Sequence, residues 1–230
     1  MRSKSHNSLH KRLQDLAQLY AAHTARAGTS AGRKYGVDAL NRAGLVLLSA
    51  HLEGFIEDLV KETIDVIIAN SVPMKLLPLR LRAVQVEKDL VEPISGDNYV
   101  RTNARISKVG PIIAQFWTDI QPSTTSNLSA QPIIKVMNNP GTNLINRMFW
   151  YFDIDQVMDR ISWKKASNKT VKDNINKLVG KRNEIAHGAI EINVTKSEVK
   201  KYEKYVNGVA ASLDSHMKQF LKLLIGKDPW

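Results

Sequence analysis

The chain contains no cysteine in 230 residues. Disulfides, thiol catalysis and thiolate metal sites are excluded together. No apolar run approaches the ~18–20 residues needed to cross a bilayer. The opening Met1-Arg2-Ser3-Lys4-Ser5-His6 leads into no apolar stretch, so no signal peptide is expected. A soluble, cytoplasmic protein with no membrane-embedded part is expected. Also missing are a glycine-rich phosphate loop, a dinucleotide-binding glycine fingerprint and an H-E-x-x-H site. Six scattered histidines without cysteine make no structural metal pattern. Neither a metal nor another cofactor is expected. No stretch alternates like a run of strands, and no internal repeat is evident.

Acidic residues are also in short supply. Asp and Glu number 22 against 33 Lys and Arg, a net charge of +11. Such a field attracts polyanions and speeds their encounter. Nucleic acid is the first expectation, with an anionic membrane surface or an acidic protein second. Hydrophobic residues make up 43% of the chain, ample for a core. The length fits one domain with an insertion.

What is present is helical periodicity. Leu9, Leu13, Leu16 and Tyr20 recur at three- and four-residue steps, predicting a first helix over 8–25. Gly28 to Gly36 reads as a loop. Asp38 is a plausible N-cap for a long helix reaching about Asn70, with Leu45, Leu48, Leu52, Phe55, Leu59, Thr63 and Val66 on one face. Ala43, Ala50 and Gly54 lie on the other, where small residues admit a second helix. Glu53 and Glu57 border that small face. They are either solvated charges or groups that orient a neighbouring site.

Residues 71–138 read as a basic insertion. A helix at 79–90 carries Arg80, Arg82 and Lys88, and an irregular stretch from 92 to 129 carries Arg101, Arg105 and Lys108. One short helix is expected at 111–119. Asn139-Pro140-Gly141 is a turn signal before a helix expected over 142–160. Trp150, Tyr151 and Trp163 gather there, either filling the core or stacking on unpaired bases. Ser167-Asn168-Lys169-Thr170 caps a further helix, expected over 170–188. Its Lys169, Lys172, Lys177 and Lys181 make either a phosphate-binding face or a solvated one. Thr195-x-x-Glu198 is a capping-box signature for a helix over 196–225. Its seam from Val199 to Leu224 packs on the bundle or on a second subunit.

The densest chemistry is Arg182-Asn183-Glu184-Ile185-Ala186-His187-Gly188. Arginine keeps its charge and its fork fits phosphate oxygens. Histidine titrates near neutrality and can move a proton. Asn183 and His187, four apart, share a helix face. Arg182 sits round the helix from His187 and reaches the same cleft only by curling, or else faces a second copy of the motif.

The Arg-Asn-x-x-x-His spacing resembles the motif of the HEPN superfamily of helical ribonucleases. Ser49-Ala50-His51-Leu52-Glu53-Gly54-Phe55-Ile56-Glu57-Asp58-Leu59 is similar to an early helix of that superfamily. With Asn139-Pro140 to Phe152, the pattern most resembles the RiboL-PSP type, over roughly 38–70 and 139–190. The resemblance implies an all-α HEPN-like bundle, here a single domain over 1–230. It also implies a homodimer with a composite active site, RNA as substrate and 2′,3′-cyclic phosphate products. A toxin or phage-defence role follows, with an antitoxin as a possible partner. RNA carries its own nucleophile in the 2′-hydroxyl. His187 can move that proton, Arg182 can stabilise charge on phosphorus, and Asn183 can fix the imidazole or bind the phosphate. Glu53 is expected to orient the Arg or His. Lys169, Lys172, Lys177, Lys181, Arg101 and Arg105 are expected to hold RNA. The rival reading is a non-catalytic helical module that binds RNA or nucleotide, with Arg182 gripping phosphate and His187 merely packed.

Overall fold

The computed structural model describes residues 1–26, 31–91, 128–135, 137, 139–163, 166–189 and 191–230. The architecture is all-α. Among the described residues the only β-type pairing is an isolated bridge between Trp163 and Ala166. No described helix is long and apolar enough to cross a membrane.

The axis of the fold is α3, Ala31–Ala69. At 1.5 Å per residue its 39 residues run for about 58 Å. Leu45, Leu48, Leu52, Phe55, Leu59 and Thr63 are fully buried along it, and Ile56, Val60 and Ile67 join them. The Thr63 hydroxyl donates to the Leu59 carbonyl at 2.7 Å, so this polar group enters the core satisfied. Truncating one such leucine to alanine costs ~2–5 kcal/mol. The helix starts earlier than Asp38, which therefore lies inside it. Gly36 costs a helix only ~1 kcal/mol and does not stop it.

Five further described helices pack on α3. The N-terminal segment, expected as one helix over 8–25, divides at Leu13 into α1, Lys4–Arg12, and α2, Gln14–Arg26. Ser3 caps α1 by accepting from the His6 N–H, while its own N–H donates to Asp214 at 3.2 Å. Arg12, which reads as a solvated residue, folds over Gly54 and pairs with Asp58.

The last helix, Lys196–Ile225, has the expected bounds. Thr195 Oγ1 accepts from the Glu198 N–H at 3.1 Å, and the Glu198 carboxylate reaches back to Thr195, completing the capping box. Its seam of Val199, Tyr202, Val206, Val209, Leu213 and Met217 is buried within this chain. Of the two partners open to that seam, the bundle takes it.

Within 71–138, a 3₁₀ turn at Met74–Leu76 and α4, Leu79–Val91, bring Met74, Leu77, Leu81 and Val84 into the core. A short α5, Gln131–Ile134, buries Ile133 and Ile134. The helix expected at 111–119 lies outside the described residues.

Next comes α6, Thr142–Trp150. It ends well short of residue 160. Asp153 takes a left-handed backbone, φ 55°, and the Ile154 N–H turns back to the Phe149 carbonyl at 3.1 Å. Aspartate tolerates that conformation better than most residues. The reversal sends Phe152 inward onto Phe220, ring centroids 5.6 Å apart. A 3₁₀ turn at Val157–Asp159 follows. Then come α7, Asn168–Ala186, and the last helix, α8.

Candidate active site

The site is built at the C-terminal end of α7. Ser167 caps the other end by accepting from the Thr170 N–H at 3.3 Å. Val171, Ile175, Leu178 and Val179 are buried, which fixes the rotation of the helix. Asn176, Asn183 and His187, seven and four residues apart, then share a polar stripe. Asn176 Oδ1 accepts from both the backbone N–H and the hydroxyl of Thr142, at 3.0 and 3.1 Å. It thereby supplies the cap that Gly141 cannot, since α6 has no side-chain cap of its own.

Arg182 curls toward the same turn. Its Nη1 donates to Asn139 Oδ1 at 2.6 Å and to Asn183 Oδ1 at 3.1 Å. Asn139 presents that oxygen from a left-handed backbone, φ 61°, directly before Pro140. Two neutral amide oxygens orient the guanidinium without cancelling its charge. Asn183 therefore holds the arginine, not the imidazole.

Glu53 approaches from α3. Burial raises its pKa, the Arg182 charge opposes the rise, and Glu57 adds to it. Burial outweighs the cation. Among the described residues Glu53 has no hydrogen bond or direct ion pair. Glu57 lies 3.6 Å from Lys61, one turn along its own helix.

His187 stands at the helix end, exposed, its N–H bonded to the Asn183 carbonyl at 2.9 Å. Gly188 explains the last letter of the motif. Its φ of 89° suits glycine, and the chain closes as a Schellman motif. Gly188 N–H donates to Ile185 O and Ala189 N–H to Glu184 O, both at 3.1 Å. The imidazole is left on an open rim. The arrangement combines a fixed, unneutralised cation, a titratable imidazole and a half-buried carboxyl. That set suits binding an anion and moving a proton beside it.

The expected RNA-binding lysines divide. Lys169 and Lys177 are exposed. Lys172 pairs with Asp159, and Lys181 donates to Glu198 at 2.7 Å. Arg101 and Arg105 lie outside the described residues. On the small face of α3, Ala43 and Ala50 are exposed and Gly54 is covered by Arg12 of the same chain. Trp163 packs against Gly208 and Tyr205, and Tyr151 is buried, but Trp150 remains 43% exposed.

Two residues escape sequence reasoning. Asn139 reads only as a turn residue, yet it holds Arg182. Asn176 reads as an ordinary helix position, yet it caps α6. The signal for the first was its place in the turn that precedes an uncapped helix; nothing local marks the second.

A family model described as RiboL-PSP-HEPN matches residues 7–219. That span takes in α3, the Asn139 turn, the Arg182–Gly188 segment and most of α8. No curated protein and no solved structure matches the chain. With nearly the whole chain covered by the match, the protein belongs to the RiboL-PSP-HEPN family of the HEPN superfamily.

Proposed function

We propose that this chain is an endoribonuclease that cuts RNA without a metal. In this reading His187 takes the proton of a 2′-hydroxyl, which attacks the adjacent phosphorus. The 5′-oxygen leaves as the hydroxyl of the second fragment, taking a proton from the imidazolium or from water, and the first fragment ends in a 2′,3′-cyclic phosphate. Arg182 stabilises the charge that gathers on the phosphoryl oxygens, Asn183 keeps the guanidinium aimed, and Glu53 biases it through charge alone, without a hydrogen bond. The carrying observation is the state of Arg182: oriented by the amides of Asn139 and Asn183, paired directly with no described carboxylate, and five residues before an exposed histidine at the end of the same helix. The net charge of +11 favours a polyanionic substrate. Lys169 and Lys177 are the exposed cations of α7 that would meet its backbone.

The wider role in this proposal is that of a toxin or phage-defence effector acting in the cytoplasm, held in check by an antitoxin. The active form is a homodimer whose two motifs face one cleft. The exposed rim carrying His187 supports that arrangement; the α8 seam does not, because it is filled within one chain. Light scattering at tens of micromolar should give twice the monomer mass.

Incubation with total cellular RNA in EDTA tests the activity. The wild type should cut, and His187→Ala should lose ~10²–10⁴-fold in rate while keeping its circular dichroism spectrum. Equal cutting by both proteins would remove His187 from the chemistry, and no cutting by the wild type would turn the reading toward a non-catalytic RNA-binding module.

A further inference from the structure

A cavity of about 820 Å³ opens between α4 and α6. Its volume falls in the range of small-molecule sites. Leu79 and Val84 form its apolar side, and Trp150 and Arg147 face them from α6. Leu79 is 56% exposed, so an apolar wall meets water there.

The indole is not loose. The Arg80 guanidinium lies over it, 4.5 Å from the ring centroid, and Arg80 also donates to the Trp150 carbonyl at 3.4 Å. Asp155 and Asp153 hold the same guanidinium from the other side, with Nε 3.6 Å from Asp153. Those carboxylates cancel its charge, so Arg80 is a poor phosphate clamp. It is instead a flat group fixed in a stack. Arg147, one turn before Trp150, is exposed and has no carboxylate partner among the described residues. The cavity therefore sets a neutral stacking platform beside an uncompensated cation.

Amides supply the remaining polar character. Asn146 is already committed: it donates to Gln156 at 2.8 Å and accepts from the Met158 N–H at 2.8 Å. That fixes Gln156 at the cavity edge. Asn143 is exposed at the other end, one residue after Thr142. Thr142 is the residue fastened to α7 by Asn176, and Asn139 just before it holds Arg182. The cavity thus continues, along the ~13 Å of α6, from the turn that builds the candidate active site.

We infer that this cavity binds an unpaired base of a single-stranded nucleic acid, stacked on the Arg80–Trp150 pair, with the neighbouring phosphate on Arg147. Bases stack on both aromatic and guanidinium planes, and amides meet their edges. The inference rests on the reading of the chain as an RNA-binding nuclease and assigns it a second contact, for a strand that is not base-paired. A rod-like duplex cannot turn a base into a cavity without losing its pairing, so the contact selects single strands.

The test is made in a His187→Ala background so that RNA survives binding. The probes are a short single-stranded oligoribonucleotide and a blunt duplex of the same sequence. Trp150→Ala should weaken single-strand binding about 5- to 100-fold and leave duplex binding within about twofold. Trp150→Phe, which keeps a ring, should restore most of the loss and also serves if the alanine variant folds poorly. Arg147→Ala should reduce the salt dependence of binding by about one phosphate contact. Unchanged single-strand binding in Trp150→Ala, equal losses on both probes, or a cavity filled by an apolar peptide instead would overturn the inference. The two readings fail separately. RNA cut as proposed with Trp150→Ala binding unchanged removes only the cavity site. A Trp150-dependent affinity in a protein that cuts no RNA removes only the nuclease.

Discussion

Lys181 and Arg182 are chain neighbours on α7 that each act on the charge of a glutamate from another helix, Lys181 by direct contact and Arg182 without one, with opposite results. Glu198 receives Lys181 at 2.7 Å and the Tyr202 hydroxyl at 3.1 Å. Burial alone would raise Glu198, but these two hydrogen bonds, the Lys181 charge and the Thr195 backbone together carry its pKa below the usual value. The same carboxylate pushes Tyr202, already raised by burial, up to about 12. Glu53 also feels a cation, yet burial wins and its pKa rises. The first cluster is closed: every charge has its partner, and it locks α7 to α8. The second is open. Arg182 rests on neutral amides, and Glu53 sits half-buried without a hydrogen bond among the described residues. An uncompensated pair of that kind adds little to stability, and such perturbed groups collect at functional sites.

The largest expected difference follows from exchanging the two positions' roles. Arg182→Ala should lower RNA cleavage ~10²–10³-fold, as loss of a charge-stabilising donor does elsewhere. Arg182→Lys should recover little of it, because an ammonium lacks the fork that spans Asn139, Asn183 and a phosphate. Lys181→Met should leave cleavage within a few-fold. Comparable losses at both positions would erase the functional half of the contrast.

Asn139 should act through Arg182. Asn139→Gly, which keeps the left-handed backbone without strain, is expected to lower kcat about tenfold with the melting temperature nearly unchanged, whereas Asn139→Asp, which adds a charge to the guanidinium, should lower it further. A mere turn residue would show the reverse, a stability loss with normal kcat.

Much of this contrast was invisible in the sequence. The apolar stripes of α3 and α8 were legible because periodicity records which face is buried. Thr195 and Glu198 marked the α8 start because a capping box is local chemistry. The pairing of Lys181 with Glu198 crosses 17 residues, and that of Arg182 with Asn139 crosses 43. Neither spacing has a local signature, so the motif singled out Arg182 but did not show which partner each of the two cations meets. The early end of α6 was hidden for a different reason. Phe152 and Ile154 continue an apolar pattern, and only the left-handed Asp153 shows that they reach the core by a turn. Trp150 stayed open between core and base stacking because local sequence does not separate it from Tyr151, its buried neighbour.

Smaller effects appear in stability. Lys181→Met should cost about 1 kcal/mol, since both side chains of the pair are about three-quarters buried or slightly less, lowering Tm by ~2–4 °C. Glu53→Gln should act oppositely at pH 7. Burial disfavours the Glu53 charge in the folded state, while the unfolded chain ionises it freely. Removing the charge should raise Tm slightly. Because the folded pKa is the higher one, that gain should shrink as pH falls through it and vanish below the ordinary glutamate value of about 4.3. A Tm loss at pH 7 that faded toward acid pH would mean that Arg182, not burial, governs this carboxyl.

The chemistry itself is tested most directly by an RNA substrate carrying a single 2′-deoxy sugar at the scissile position, compared with its all-ribose counterpart in EDTA. The account predicts that both bind with equal affinity, that the all-ribose strand is cut to a 2′,3′-cyclic phosphate end, and that the substituted strand stays whole. Cleavage of the 2′-deoxy strand at that position would contradict it.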